Sequence, residues 1–298
     1  MTNTPLHGLV IRDAIVRIPG TGYIYAADPA READGVPHAI TFKYQQGRFI
    51  RGDANYDAFA LALVSHPEPG LVSVAGAGYY SAISASGSVS GDLFDNSNPL
   101  PPVPRTGGIR AVASIGGRAF AVGLRGMAYR LDQPRQWTRI DDGLPADFDV
   151  LAIDGGSDAD LHAVGRGGGI WHFDDRGWQV CESPTSAALR TIHCTDAGDA
   201  YAAGDGGVLL QRRNGVWETI EHGCTRDTIW SLAGFQGQLY AATLSTLYRI
   251  EGNGLVEVDF GNDRPASCRR ISVCDGQMWS AGDFDLMAFD GERWSRIV

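Results

Sequence analysis

The amino-acid sequence predicts an all-β chain, a seven-bladed β-propeller of four-stranded antiparallel blades, on three observations. A strand-turn-strand phrase recurs at a nearly fixed interval, glycine-rich and Asn-Gly turns separate short apolar runs, and no segment of useful length carries the helical period. The clearest copy is Tyr201-Ala-Ala-Gly-Asp-Gly-Gly-Val-Leu-Leu-Gln-Arg-Arg-Asn-Gly-Val-Trp217. Residues 201–203 read as a small-residue strand, 204–207 as a tight turn and 208–212 as the returning strand. Asn214-Gly215 is the strongest hairpin signal a short sequence offers, and it sends the chain into an outer strand at Trp217.

Counted from Gly204, the equivalent positions are Gly123, Gly165, Thr243 and Gly282, at successive steps of 42, 39, 39 and 39 residues. The slot three residues earlier holds Phe120, His162, Tyr201, Tyr240 and Trp279. The outer-strand anchor is expected at Trp137, Trp178, Trp217, Val256 and Trp294. A period near forty with four short strands per unit is the signature of a propeller.

In chain order, residues 8–12 read either as a first strand or as a segment that closes the ring on the last blade. The first blade, about 13–57, places strands at 23–28, 38–44 and 48–50, with the longest loop of its kind at 29–37. The second, about 58–105, has strands at 71–76 and 79–84, an outer strand at 91–94, and a proline-rich connector over 96–104. The remaining blades are about 106–145, 146–186, 187–225, 226–265 and 266–298, each opening on an apolar strand such as 109–113, 150–153 or 189–192. One domain spans 1–298; a six-bladed ring, with the weak first repeats forming something else, is the alternative.

A formal net charge of −10 argues against nucleic acid and anionic membrane as partners, since both require a basic surface. The opening Met-Thr-Asn-Thr-Pro-Leu-His has neither the basic start nor the apolar run of a signal peptide, and no stretch reaches the length of a membrane span, so a cytoplasmic chain is expected. Five cysteines, Cys181, Cys194, Cys224, Cys268 and Cys274, contain no Cys-x-x-Cys pair and read as small buried hydrophobes.

The phrase Ala-Gly-Asp-Gly-Gly-x-Leu followed by Gly-x-Trp resembles the repeats of bacterial propellers related to photosystem assembly factors and to the Asp-box (BNR) group, over about residues 106–298. The resemblance implies fold alone, because these propellers serve unrelated functions. The Asp-box pattern Ser-x-Asp-x-Gly-x-x-Trp is not intact: the matching turns read Gln211-Arg-Arg-Asn-Gly-Val-Trp217 and Ala288-Phe-Asp-Gly-Glu-Arg-Trp294, which weakens any transfer of sialidase activity.

No residue set for chemistry stands out. His162 and His172 flank the Gly165 turn and could face one another as metal ligands, but His162 fills a slot that is aromatic in the other blades, so a packed histidine is expected and no metal or cofactor. Seven aspartates between Asp141 and Asp160 lack the spacing of a calcium loop. Arg51-Gly-Asp53 matches an adhesion tripeptide by chance, and no Gly-x-Ser-x-Gly or phosphate loop is present.

What remains is surface. The long blade-to-blade connectors carry Asp53, Asp57, Asp92, Asp95, Asp141, Asp142, Asp147, Glu182, Glu221, Asp227, Asp259 and Asp263 against Arg51, Arg105, Arg226 and Arg264. Such a rim would steer a basic protein partner, with Trp230, Tyr56, Phe94 and Phe260 as candidate aromatic anchors. The expectation is a non-catalytic, monomeric protein-binding propeller. Its sharpest form resembles known antitoxin strategies: an immunity protein that blocks a basic secreted bacterial toxin such as a nuclease. The alternatives are a glycosidase- or lyase-type enzyme and an assembly or scaffold factor.

Overall fold

Tight turns between consecutive strands decide the topology, because each strand pairs with the next one along the chain. In the computed structural model, which describes residues 4–93 and 108–298, this produces seven four-stranded antiparallel sheets, the seven-bladed propeller. The first blade is β1 (Val10–Ile18), β2 (Thr21–Ala27), β3 (Ala39–Gln45) and β4 (Arg48–Ala54). Between β2 and β3 lies the short helix α1 (Pro29–Ala33), whose first turn is capped by the Asp28 side chain. The second blade is β5 (Ala58–Val64), β6 (Gly70–Ala75), β7 (Tyr79–Ser84) and β8 (Gly87–Asp92). The third is β9 (Ile109–Ile115), β10 (Arg118–Gly123), β11 (Ala128–Gln133) and β12 (Gln136–Arg139). The fourth is β13 (Val150–Ser157), β14 (Asp160–Gly165), β15 (Ile170–Phe173) and β16 (Trp178–Cys181). The fifth is β17 (Leu189–Cys194), β18 (Ala200–Gly204), β19 (Leu209–Arg213) and β20 (Val216–Thr219). The sixth is β21 (Ser231–Phe235), β22 (Gln238–Ala242), β23 (Leu247–Glu251) and β24 (Gly254–Glu257). The seventh is β25 (Arg270–Cys274), β26 (Gln277–Ala281), β27 (Leu286–Phe289) and β28 (Trp294–Arg296).

Contacts gather Ala58–Ile220, the second to fifth blades, into one compact unit, and Met1–Asp57 with Glu221–Val298 into another. In both, the core lies between blades. Val164 and Ile170 of the fourth blade pack with Leu189, Ala202, Leu210 and Trp217 of the fifth, and Tyr240, Ala242 and Leu247 of the sixth with Cys268 and Met278 of the seventh. Trp279 of the seventh blade is fully buried among Ile24, Ile40 and Phe42 of the first. No helix among the described residues is long and apolar enough to cross a membrane.

The turn chemistry holds where it was read. Asn214 and Gly215 sit at φ 52° and 82°, the doubly left-handed geometry of a two-residue hairpin joining Arg213 to Val216. Gly204 recurs for a different reason. A Cβ there would lie 1.9 Å from the Ala188 carbonyl oxygen, where the chain bulges into β17; Gly123 and Gly165 meet the carbonyls of Gly108 and Asp149 at 2.0 Å in the same way. The sixth blade pairs Ser231 with Ala242 without that bulge, so Thr243 is accommodated, fully buried.

Of the two readings of 8–12, the first-strand one holds, the segment running into β1 at Val10. It touches the seventh blade through the Ile11 N–H donating to the Asp283 carbonyl at 2.8 Å and through Leu6 packed beside Trp279. The outer strand of the second blade is Gly87–Asp92 rather than 91–94; its Gly-Ser-Val-Ser-Gly-Asp sequence shows no apolar run to read. The connector over 96–104, with Phe94, Asp95 and Arg105, lies outside the described residues. Of the cysteines, all free, Cys268 is buried and Cys224 is exposed, the other three being half-buried.

A further correction concerns the outer-strand anchor. Across each sheet the rows run Leu161-Phe173-Trp178, Ala200-Arg212-Trp217 and Met278-Phe289-Trp294. In the sixth blade the same row is Leu239-Ile250-Leu255, so Leu255 is the anchor, buried at 6%, while Val256 points outward at 43% exposure. The path from Thr243 to Leu247 is one residue shorter than that from Gly204 to Leu209, so a count in steps of 39 overshoots by one, and one residue flips the face. Leu255→Ala is therefore expected to cost about 2–5 kcal/mol in urea unfolding, and Trp217→Ala about 3–5 kcal/mol. Val256→Ala should stay within about 0.5 kcal/mol of wild type; equal effects at 255 and 256 would refute this register.

Candidate functional site

In an antiparallel four-stranded blade, the turn between the second and third strands and the connector leaving the fourth strand lie at the same end of the sheet. In the unit formed by the first, sixth and seventh blades, that end carries large apolar side chains in water: Trp230 at 37% exposure, Leu244 at 50% and Phe284 at 64%. Leu244 and Phe284 occupy the turns after β22 and β26; at the place of Leu244 the third, fourth and fifth blades have Leu124, Arg166 and Asp205, and at that of Phe284 they have Arg125, Gly167 and Gly206.

A run of hydrogen bonds fixes these loops beside one another. The Trp230 N–H donates to the Ala242 carbonyl at 2.8 Å, and the Cys268 N–H donates to the Leu244 carbonyl at 2.9 Å. The Asp283 N–H donates to Ser267 Oγ at 2.9 Å, and the Ala266 N–H to Asp285 Oδ2 at 2.9 Å. Arg269 reaches the Ile11 carbonyl at 3.3 Å and the Asp283 carboxylate at 3.6 Å, tying the seventh blade to the start of β1. Arg12 in turn pairs with Glu32 of α1. Apolar groups on loops held this way meet any partner without a large ordering cost.

The expected acidic residues fall into three places. Asp53 and Asp57 end the first blade: Asp53 is exposed and paired with Arg51 at 3.0 Å, whose hydrogen bond holds its carboxyl below the usual range, and Asp57 accepts the His38 N–H at 3.0 Å. Glu221, Asp227, Asp259 and Asp263 lie on the connectors on either side of the sixth blade, all exposed. Asp141, Asp142 and Asp147 belong to the connector into the fourth blade, in the other unit. Asp142 and Asp147 are exposed, whereas the Asp141 side chain is only 12% exposed and is bonded to Arg139 at 2.5 Å. Phe260 is half-buried with its ring 4.5 Å from that of Trp294, so its packing is inward.

Sequence reading missed the arginines that rise from strands into these connectors. Arg296 of β28 bonds Asp263 at 2.6 Å and the buried Asp285 at 2.5 Å, which pushes its own pKa up and holds the Asp263 carboxyl down. Two cations outside the strands also pair: Arg264, already read on its connector, with Glu257, and Arg166 of the turn after β14 with Asp149 at 3.1 Å. Asp57, Asp142, Asp147, Glu182, Glu221, Asp227 and Asp259 carry no ion pair among the described residues. Leu244 and Phe284 were also missed, because a lone hydrophobe in a four-residue turn has no pattern to mark it. One set of side chains dense enough to hold an ion occurs among the described residues, Asp160, His162 and His172, at the opposite end of the fourth blade.

Comparison with known proteins adds two findings. No family model matches the chain. Over 216 residues, 70% of this chain and 71% of the relative, it is 38% identical to the immune protein Tsi7 of Pseudomonas aeruginosa. Solved structures with the same architecture include the WD40 repeats of RRP9 (TM-score 0.67, 13% identity, 98% of this chain and 92% of that one). They also include YCF48 bound to D1 peptide (TM-score 0.61, 15% identity, 94% and 91%) and the WD40 propeller domain of Doa1 (TM-score 0.63, 9% identity, 97% and 92%). At such identities these likenesses show the fold alone.

The pairing pattern separates acids that hold the fold from acids available to a partner. Arg296→Ala leaves the buried Asp285 carboxylate without its cation and is expected to destabilise the chain by about 1–3 kcal/mol. Asp53→Asn, in an exposed pair, should leave the unfolding midpoint unchanged. Thermal and urea unfolding of the two variants check this, and equal losses would contradict the assignment.

Proposed function

The chain belongs to the family of the immune protein Tsi7, and from that premise we propose that it is an immunity protein acting in the cytoplasm, which neutralises a basic protein toxin by covering the toxin's working surface. The observation that carries the reading is the 38% identity over 70% of the chain. The physical support is the loop-bearing end of the first, sixth and seventh blades, where Trp230, Leu244 and Phe284 offer apolar anchors and Asp57, Glu221, Asp227 and Asp259 offer uncompensated negative charge. Anchors of this kind supply most of the free energy of a protein interface, and like-signed rim charges raise the rate of encounter with an oppositely charged partner. Inhibition then needs no bond-making residues on this chain and no cofactor; it is occlusion by a monomer. Asp142 and Asp147 are exposed acids of the other unit, considered by themselves, and Asp53, Asp141, Asp263 and Phe260 act within their own units through the local pairs already described.

Two kinds of variant separate the parts played by charge and by apolar contact. Trp230→Ala or Phe284→Ala is expected to cost about 2 kcal/mol or more of binding, roughly a thirtyfold faster dissociation with little change in association. Asp227→Arg together with Asp259→Arg should slow association by about tenfold at low salt and flatten its salt dependence. Both are read by surface-binding kinetics against the product of the adjacent gene, taken as the candidate toxin. The reading itself is tested by co-expressing that neighbour with and without this protein in a sensitive bacterium. Survival only in its presence supports it; killing that is the same with and without this protein overturns it.

A further inference from the structure

His162 sits in a row whose residues in other blades are matched to non-imidazole partners: Phe120 faces Arg130, Tyr201 faces Gln211 and Tyr240 faces Arg249. In the fourth blade alone the pair is His162 opposite His172, with ring centroids 4.6 Å apart. Asp160, two residues before His162 and so on the same face of β14, completes the group, its Oδ1 lying 2.7 Å from His172 Nε2. One ligand atom from each of the three lies within 4.8 Å of the other two.

The buried member is the informative one. His162 is 4% exposed, and its Nε2 has no hydrogen-bond partner, while Nδ1 faces Cys194 Sγ at 3.9 Å. An unpaired buried nitrogen carries a desolvation cost that a ligand at that atom removes.

We propose that Asp160, His162 and His172 form a binding site for one divalent transition-metal ion of the zinc class. Two imidazoles and one carboxylate are a zinc donor set, with a remaining position open to water. Ligand atoms around a tetrahedral ion stand on the order of 3.3 Å apart. Closing the group to that spacing requires only rotation of Asp160 and His172, whose side chains are 58% and 28% exposed, while His162 stays in its packed slot. With the ion on Nε2 the ring proton resides on Nδ1, and Cys194 Sγ, 3.9 Å away, is placed as its acceptor. The ion would clip β14 to β15 at the end of the sheet away from the connectors.

The test uses the full chain without a polyhistidine tag, stripped with chelator and titrated with Zn²⁺ against a competing indicator, and with Co²⁺ for its visible spectrum. Expected are one equivalent per chain, cobalt bands of a four- or five-coordinate nitrogen-oxygen site, and a zinc-dependent rise in the thermal midpoint. His172→Ala and Asp160→Asn, both at accessible positions, should each weaken affinity at least about tenfold and remove the midpoint rise. His193→Ala, a neighbouring imidazole near Asp154, should change neither. Failure to bind a stoichiometric equivalent, or binding unaltered in His172→Ala, or binding lost in His193→Ala instead, would overturn the proposal.

Discussion

A four-stranded blade cannot bury its own two faces, and everything else in this chain follows from that constraint. Each core cluster draws its members from two consecutive blades, as where Ile109 and Leu131 of the third blade close over Val72, Val74 and Tyr80 of the second. The packing free energy therefore belongs to the interfaces between sheets, and repeats of near-constant length are the sequence's way of presenting matching faces. The small residues of the second strands, among them Ala121, Ala163, Ala202 and Ala241, are fully buried there. The large residues that complete each interface come from beside them in the row or from the outer strand, as Trp178 and Trp217 do.

The same division explains which parts of the molecule the sequence made legible. A turn that needs left-handed residues declares itself, so Asn214-Gly215 could be placed without coordinates, and the close approach of a carbonyl marks Gly123, Gly165 and Gly204 as a repeating position. Interior positions were legible to within one residue, and the single slip, Val256 for Leu255, came from a shorter turn whose cost was invisible to counting. The polar outer strand Gly87–Asp92 was not legible, because it carries no apolar run of its own and the apolar pair Leu93-Phe94 just beyond it draws the reading downstream.

The site was harder to read than the fold. Acidic connectors could be seen, but not the strand-borne arginines that cancel some of them: Arg139 and Arg296 lie outside the connectors, and only pairing geometry brings them to Asp141 and Asp263. Trp230 could be picked out as a large residue in an unusual place, whereas Leu244 and Phe284 become meaningful only once their exposure is known. Likewise His162 looks like any packed residue until its unpartnered nitrogen and its two neighbours are in view.

The excursion between β2 and β3 has a consequence for how such a protein changes over generations. Eleven residues, 28–38, including a helical turn, are inserted between Ala27 and Ala39, yet the ladder on either side continues in register from Ala26 opposite Ile40 to Thr21 opposite Gln45. Because the cost of closing a loop grows only slowly with its length, segments at this end can be lengthened, shortened or rewritten while the sheets beneath remain as they are. An immunity protein confronted with an altered toxin can thus acquire a new grip by exchanging a few turn residues, with heredity of the scaffold and novelty of the surface kept in separate stretches of one chain.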